Sequence, residues 1–375
     1  MTPSLYAIFL FGLSTLTAAT NFTQVFEWQD EWDFNWPSEA KRTQALEDGT
    51  FKPEKIEARY MAVYGTRIFL SLNKYSNYLP VSLVSLPTIS ASSASPKLTT
   101  FPSWDMNEYG NCNKIEEASG LQVDSIGRLW VLDSGSDNCK AKLWTIDLIN
   151  NDHTEFIHRF SFHYYMHDLV LDETPNGTFA YIARWYRKHI VVFSLERNQS
   201  WIVDTLGIRA NFVSLSPKEE PRQLYLGHYQ SNETYFISVA TLRNETRYAN
   251  PRLIGKWTAI PYRMLMDNHG TAYAAFLEKN YIHSWNTSQP FREQSFHEVA
   301  GLNSYWPFTF ALDQNGTLWM TVFDEERKPK YRLLKAAAAF MASPELDAAS
   351  GGETQKRILI DSSVFFAVLL AMAIP

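Results

Sequence analysis

The sequence predicts an all-β protein built as a six-bladed β-propeller, and three observations carry that expectation. A unit made of a short polar turn ending in Gly, followed by a strand of alternating apolar and small or polar residues, recurs along the chain. Its copies lie about 45 to 60 residues apart, the period of four-stranded propeller blades. The 375 residues are 45% hydrophobic and 15% aromatic, ample for a full core, with no long amphipathic helical stretch to suggest an α/β fold.

The clearest copy is Ser119–Gly135, where Asp124-Ser125-Ile126-Gly127 makes the turn and Gly127 supplies the positive φ that a tight reversal needs. Beyond it, Leu129, Val131 and Asp133 share one face and Trp130, Leu132 and Ser134 the other. The same object recurs at Asp267–Gly270 with Thr271–Glu278, and at Asp313–Gly316 with Thr317–Asp324. Gly65 with Thr66–Tyr75, Asn176-Gly177 with Thr178–Trp185, and Ser216–Arg222 leading into Gln223–Tyr229 are looser copies. Trp130 and Trp319 stand at matching offsets from Gly127 and Gly316, so they are expected at equivalent places in their blades. The net charge of −6 with no basic cluster argues against nucleic acid as a partner, and none is expected.

The ends point to the secretory route. Residues 1–19 read as a signal peptide, an apolar run over Leu5–Leu13 leading to Ala18 and Ala19, although no Lys or Arg precedes it. The run is too short to span a bilayer. Sequons begin at Asn21, Asn176, Asn198, Asn232, Asn244, Asn286 and Asn315, more than the composition would place by chance. The propeller is expected over residues 20–340. In the tail, 341–375, small residues at Ser350-Gly351-Gly352 precede a polar spacer and an apolar end. That order fits either a GPI-attachment signal with Ser350 as the attachment site or an extension with no targeting role. Any contact with a membrane would come only through such an anchor. Cys112 and Cys139, the only cysteines, bracket one strand of a blade, and in an oxidising compartment they are expected to form a disulfide.

At Ser119–Gly135 the chain resembles the Yellow/major royal jelly protein family. Collinear stretches extend the resemblance over about 300 residues: Phe26-Glu27-Trp28 through Ser38, Gly49–Pro53, Ser95–Leu98 with Pro102–Trp104, His167–Val170 leading to Phe179–Ala183, Asn198–Trp201, Leu242–Asn244, Ser284–Asn286, and Trp306-Pro307 through Trp319. The resemblance implies a six-bladed propeller. It also implies a second disulfide in many relatives, but here Ser284 stands at one half of it and Leu171–Phe179 holds no Cys for the other. Similar proteins include pigmentation factors, dopachrome-converting enzymes, salivary binders of biogenic amines and nutritive secretions.

No Ser-His-Asp set, phosphate-binding loop or metal-ligand spacing appears, so neither metal nor cofactor is expected, and candidates follow from strand position near the axis. His167 beside Asp168 could serve as a general base, or as a hydrogen-bonding pair at a strand entry. Arg184 could attract a carboxylate or make a blade-to-blade salt bridge. His228 and Tyr229 replace a Pro-Leu pair of similar proteins. Thr321, Lys330 and Tyr331 stand where amine-binding relatives place ligand contacts, and a Lys at 330 would repel a protonated amine. The expected function is binding or converting a catechol or indole metabolite of the dopachrome type, with amine binding or a structural surface role as the alternative. An axial calcium site would need converging carboxylates, and Asp124, Asp267 and Asp313 are better explained as turn residues.

Overall fold

Each of the six expected turns closes the first hairpin of a different blade in the computed structural model, which describes residues 22–72, 78–89, 95–276, 279–298 and 305–337. Six antiparallel four-stranded sheets form the propeller. Their innermost strands are Ala58–Tyr64, Ala118–Val123, Met166–Thr174, Ala210–Leu215, Pro261–Met266 and Trp306–Leu312, for blades 1 to 6. Five blades are continuous in the chain. The sixth takes Trp306–Leu312, Thr317–Phe323 and Tyr331–Ala337 from the far end of the propeller and its outermost strand, Thr23–Trp28, from the beginning. The expected leader at 1–19, Asn21, and the tail at 341–375 with Ser350 lie outside the described residues.

The turn chemistry repeats in detail. The Asp124 carboxylate accepts the backbone N–H of Ile126 at 3.2 Å and of Arg128 at 2.8 Å, and the indole N–H of Trp130 at 2.9 Å. Asp313 accepts from Asn315, Thr317 and Trp319, each at 2.9 Å. Asp267 accepts from His269 and Thr271 and from the Tyr273 hydroxyl at 3.0 Å. In all three, Gly follows three residues later with φ between +73° and +85°. Trp130 and Trp319 are thus equivalent, with tyrosine in their place in blade 5. In each turn the Asp carboxylate, buried at Asp124, ties the turn to an aromatic side chain of the following strand.

The first strands adjoin one another around the axis, and each contains a register shift near its start. Pairing skips Arg59, Ser119, His167 with Asp168, Asn211, Tyr262 and position 308. Such bulges re-aim side chains that strict alternation would send into the sheet faces. Gly120 lets blades 2 and 3 approach at this level: a Cβ there would lie 2.8 Å from the Leu169 side chain and 3.3 Å from the His167 carbonyl. Cys112 and Cys139 are bonded with Cα atoms 5.1 Å apart, joining the segment before blade 2 to the loop between its second and third strands.

Replacing Asp124 by Ala should cost about 3 kcal/mol, because the buried indole N–H of Trp130 loses its partner along with two turn N–H groups. A urea midpoint within error of the parent's would show that the turn stands without its carboxylate.

Candidate ligand cavity at the start of the inner strands

Four of the bulged residues, Arg59, His167, Asn211 and Tyr262, converge on a cavity of about 650 Å³ at the end of the axis where the inner strands begin. Blade 1 contributes Arg59 and Tyr60, blade 3 His167 and Trp185, blade 4 Asn211, Tyr229 and Gln230, and blade 5 Tyr262, Arg263 and Lys279. Ala259 and Ile260, from the connection between blades 4 and 5, complete the wall.

A relay of hydrogen bonds fixes this rim across four blades. The Trp185 indole N–H donates to Asn211 Oδ1 at 2.8 Å, and Asn211 Nδ2 donates to the Tyr262 carbonyl at 3.3 Å. The Tyr262 hydroxyl then donates to the Pro307 carbonyl of blade 6 at 2.8 Å. Against this frame His167 stacks on Trp185, with ring centroids 4.1 Å apart and planes 21° apart, and meets the Tyr60 ring edge-on. Burial holds the His167 imidazole well below its ordinary pKa, and the positive charges of Arg263 and Arg59 add to that effect.

Arg263 forms the cavity floor. Its Nη1 donates to the Arg59 carbonyl at 3.1 Å, and its guanidinium lies 3.9 Å over the Tyr60 ring. Asp168 approaches its Nη2 at 3.8 Å, while the Arg263 Nε is buried with no hydrogen-bond partner among the described residues. Asp168 accepts N–H groups from Leu169 at 3.1 Å and from Val213 of blade 4 at 3.2 Å. Burial raises its pKa, against the opposing pull of Arg263. Asp168 and Arg263 also border a second, smaller cavity of about 290 Å³ further along the inner strands. The site therefore combines stacked aromatic walls with two guanidiniums, a neutral imidazole and two carboxylates, Asp168 near Arg263 and Glu57 paired with Arg59 at 3.3 Å.

Of the residues singled out from sequence, His167 and Tyr229 line this cavity, and Asp168 lies beneath it. Asp168 has its hydrogen bonds directed to backbone and not to the imidazole. Arg184 lies outside: its guanidinium sits 3.8 Å over Phe162 and bonds His189 Nε2 at 3.1 Å, and burial lowers its pKa to about 10. Among the described residues it makes no salt bridge, the alternative considered for it. His228 turns away, its Nδ1 accepting the Arg209 N–H at 3.1 Å. Thr321, Lys330 and Tyr331 belong to blade 6. Thr321 Oγ1 accepts the Thr309 N–H at 3.2 Å, and the Tyr331 hydroxyl donates to the Ile56 carbonyl at 3.2 Å. Lys330 Nζ lies 5.4 Å from the Phe323 ring, so the discrimination against amines expected of it has no geometric basis in this cavity.

The polar and aromatic lining residues that sequence reasoning missed are Arg59, Tyr60, Trp185, Asn211, Gln230, Tyr262, Arg263 and Lys279. A faint signal was present, since Arg59-Tyr60 and Tyr262-Arg263 each put an aromatic beside a cation at the opening of a first strand.

Comparison with known proteins gives the following. The family model described as major royal jelly protein matches residues 117–212 and 207–322, more than half of the chain. Protein yellow of Drosophila guanche is 24% identical over 369 residues, covering 84% of this chain and 63% of that protein. Protein yellow of Drosophila madeirensis is 24% identical over 383 residues, covering 88% and 66%. The chain thus spans a little under two thirds of the length of these relatives. Among solved structures, a gluconolactonase from Xanthomonas campestris is similar with a TM-score of 0.49 at 11% identity, over 84% of this chain and 97% of that one.

Because His167 is held neutral by burial, its ring should show no protonation midpoint near 6.5 in an imidazole NMR titration between pH 5 and 8. The depressed pKa also has a sign for stability. The unfolded chain takes up the proton below about pH 6.5 and the folded one does not, so folding stability falls as pH drops through that value. The slope should shrink in His167→Gln, and an unchanged slope would show that His167 is not its source.

Proposed function

The chain belongs to the major royal jelly protein family, and from that premise we propose that it is a secreted, Yellow-like protein whose axial cavity takes a small planar aromatic metabolite carrying a carboxylate, of the catechol or indole type. The observation that carries this reading is the pairing of a stacked His167–Trp185 wall with the Arg59 and Arg263 guanidiniums in one cavity. A planar ring extends the stack, and a carboxylate answers the two cations and the unpartnered Arg263 Nε. A protonated amine would enter against them. This favours an anionic ligand over the biogenic amines, and dopachrome, which carries a carboxylate, satisfies both halves of the site.

Conversion of such a ligand is supported by one feature. His167 lines the cavity as a neutral imidazole, and because burial and the two guanidiniums also weaken it as a base, proton abstraction there requires a ligand carboxylate that offsets Arg59 and Arg263. In calorimetric titration, 3-(3,4-dihydroxyphenyl)lactate should bind at least about tenfold more tightly than dopamine, which shares its ring and reverses its charge. Arg59→Gln should narrow that gap. Equal affinity for both, or no binding of either, would sink the reading. Following dopachrome absorbance with and without protein tests the catalytic version, which a rate equal to that of buffer would remove.

Secretion is supported by the leader-like opening and the sequons, and the bonded cysteines suit an oxidising compartment. The sequons differ in what their amides do. Asn176, Asn198, Asn244 and Asn315 are exposed, whereas Asn232 donates its Nδ2 to the Trp257 carbonyl at 2.7 Å. Enzymatic deglycosylation in heavy-oxygen water, with peptide mass spectrometry of protein from a eukaryotic secretory host, should mark those four sites and leave Asn232 unmarked. A glycan at Asn232, or none anywhere, would contradict this assignment.

A further inference from the structure

Four residues beside the cavity mouth hold a backbone conformation that side chains rarely adopt. Tyr164, Tyr165, Tyr186 and Gln230 have φ of +52°, +65°, +60° and +56°. Glycine takes this region at no steric cost, and a bulky aromatic takes it at a penalty. Tyr164 has an evident reason to be tyrosine, since its hydroxyl bonds Asp137. Among the described residues Tyr186 bonds only the neighbouring Tyr229 side chain on the same rim, and Tyr165 and Tyr186 are 43% and 49% exposed, so neither side chain fills the core.

Their rings instead continue the cavity wall outward. Trp185 meets Tyr186 at 5.8 Å, Tyr186 meets Tyr229 at 4.9 Å, and Tyr165 meets Tyr186 edge-on at 5.9 Å. Arg187 lies over Tyr165 at 5.5 Å and Arg209 over Tyr229 at 5.8 Å, and neither arginine has an ion-pair partner among the described residues. On a chain whose net charge is −6, these two cations join Arg59 and Arg263 on one face. A row of exposed and half-buried rings edged with guanidiniums that lack ion-pair partners among the described residues suits another flat, electron-rich anion-bearing molecule. Strain retained where it brings no core packing points to use by a ligand.

We propose that Tyr165, Tyr186 and Tyr229, flanked by Arg187 and Arg209, form a stacking platform for a second aromatic ring, so that the preferred ligand is an anionic phenolic or indolic compound of two linked rings. This rests on the axial cavity holding the first ring, as argued above. The ring in the cavity is clasped by His167 and Trp185, and the outer ring lies on the tyrosines and remains partly in water.

The test compares 3-(3,4-dihydroxyphenyl)lactate with rosmarinate, in which the same carboxylate-bearing half is esterified to a second catechol ring. On the parent protein rosmarinate should bind at least about tenfold more tightly. Tyr186→Gly should abolish that advantage and leave affinity for 3-(3,4-dihydroxyphenyl)lactate within about twofold of the parent, with a melting temperature equal to the parent's or higher, since glycine relieves the strain. Tyr165→Gly should act in the same direction. If the one-ring compound binds and rosmarinate binds no better, the platform is refuted while the cavity stands. Should Tyr186→Gly lower the melting temperature and weaken both ligands alike, the tyrosine is structural and the proposal falls. Binding of neither compound to the parent protein would overturn both the platform and the cavity reading.

Discussion

The circular arrangement depends on one non-local pairing. Thr23–Trp28 runs antiparallel to Tyr331–Ala337, with Trp28 opposite Tyr331 and Thr23 opposite Lys335. Without it blade 6 would have three strands and an open edge, and its hold on blade 1 would be left to the packing of Trp319 and Leu333 against Met61 and Val63. Aromatic packing reinforces the seam. Trp28 stacks on Trp32 at 4.8 Å, Trp32 meets Tyr331 edge-on, and the Trp28 indole N–H bonds the Pro96 carbonyl. The backbone N–H of Lys330 donates to the Gln29 carbonyl at 2.9 Å, extending the join beyond the strand. Lys330 and Tyr331 thus belong to the seam and not to the cavity.

Closure makes the cavity possible because it fixes six strand starts in a ring. The bulges then turn selected side chains toward the axis, and the relay from Trp185 through Asn211 and Tyr262 to Pro307 locks four blades to a common frame. The Arg263 guanidinium, set over Tyr60 and bonded to the Arg59 carbonyl, ties blade 5 to blade 1 across the axis. A site assembled this way is rigid without depending on any single loop, as a binding cavity requires to avoid ordering costs when a ligand enters.

The blade count was legible in the sequence because each first hairpin advertises itself locally. Asp124, Asp267 and Asp313 meet their aromatic partners within six residues, so turn, glycine and ring appear together in the text of the chain. The disulfide was legible for a similar reason, there being only one way to pair two cysteines. The cavity was legible in part. His167 and Tyr229 stand out as polar or aromatic residues at strand ends, and both line it. Arg59, Asn211 and Arg263 did not stand out, because a bulge shifts the alternation by one residue and converts an expected sheet-facing position into an axial one. Arg184 misled for the converse reason. A cation on a second strand looks available for a ligand until Phe162 and His189 are found occupying it.

The seam also sets an order of events during synthesis. Phe26 and Trp28 leave the ribosome early, yet the strand that covers them ends at Ala337, some three hundred residues later. Until that strand emerges, an aromatic-rich edge stays unpaired while the other blades are able to form behind it, and contact order this high makes the final docking slow. During that interval the exposed edge of Thr23–Trp28 is open to pairing with another chain, so shielding it protects the nascent protein from association.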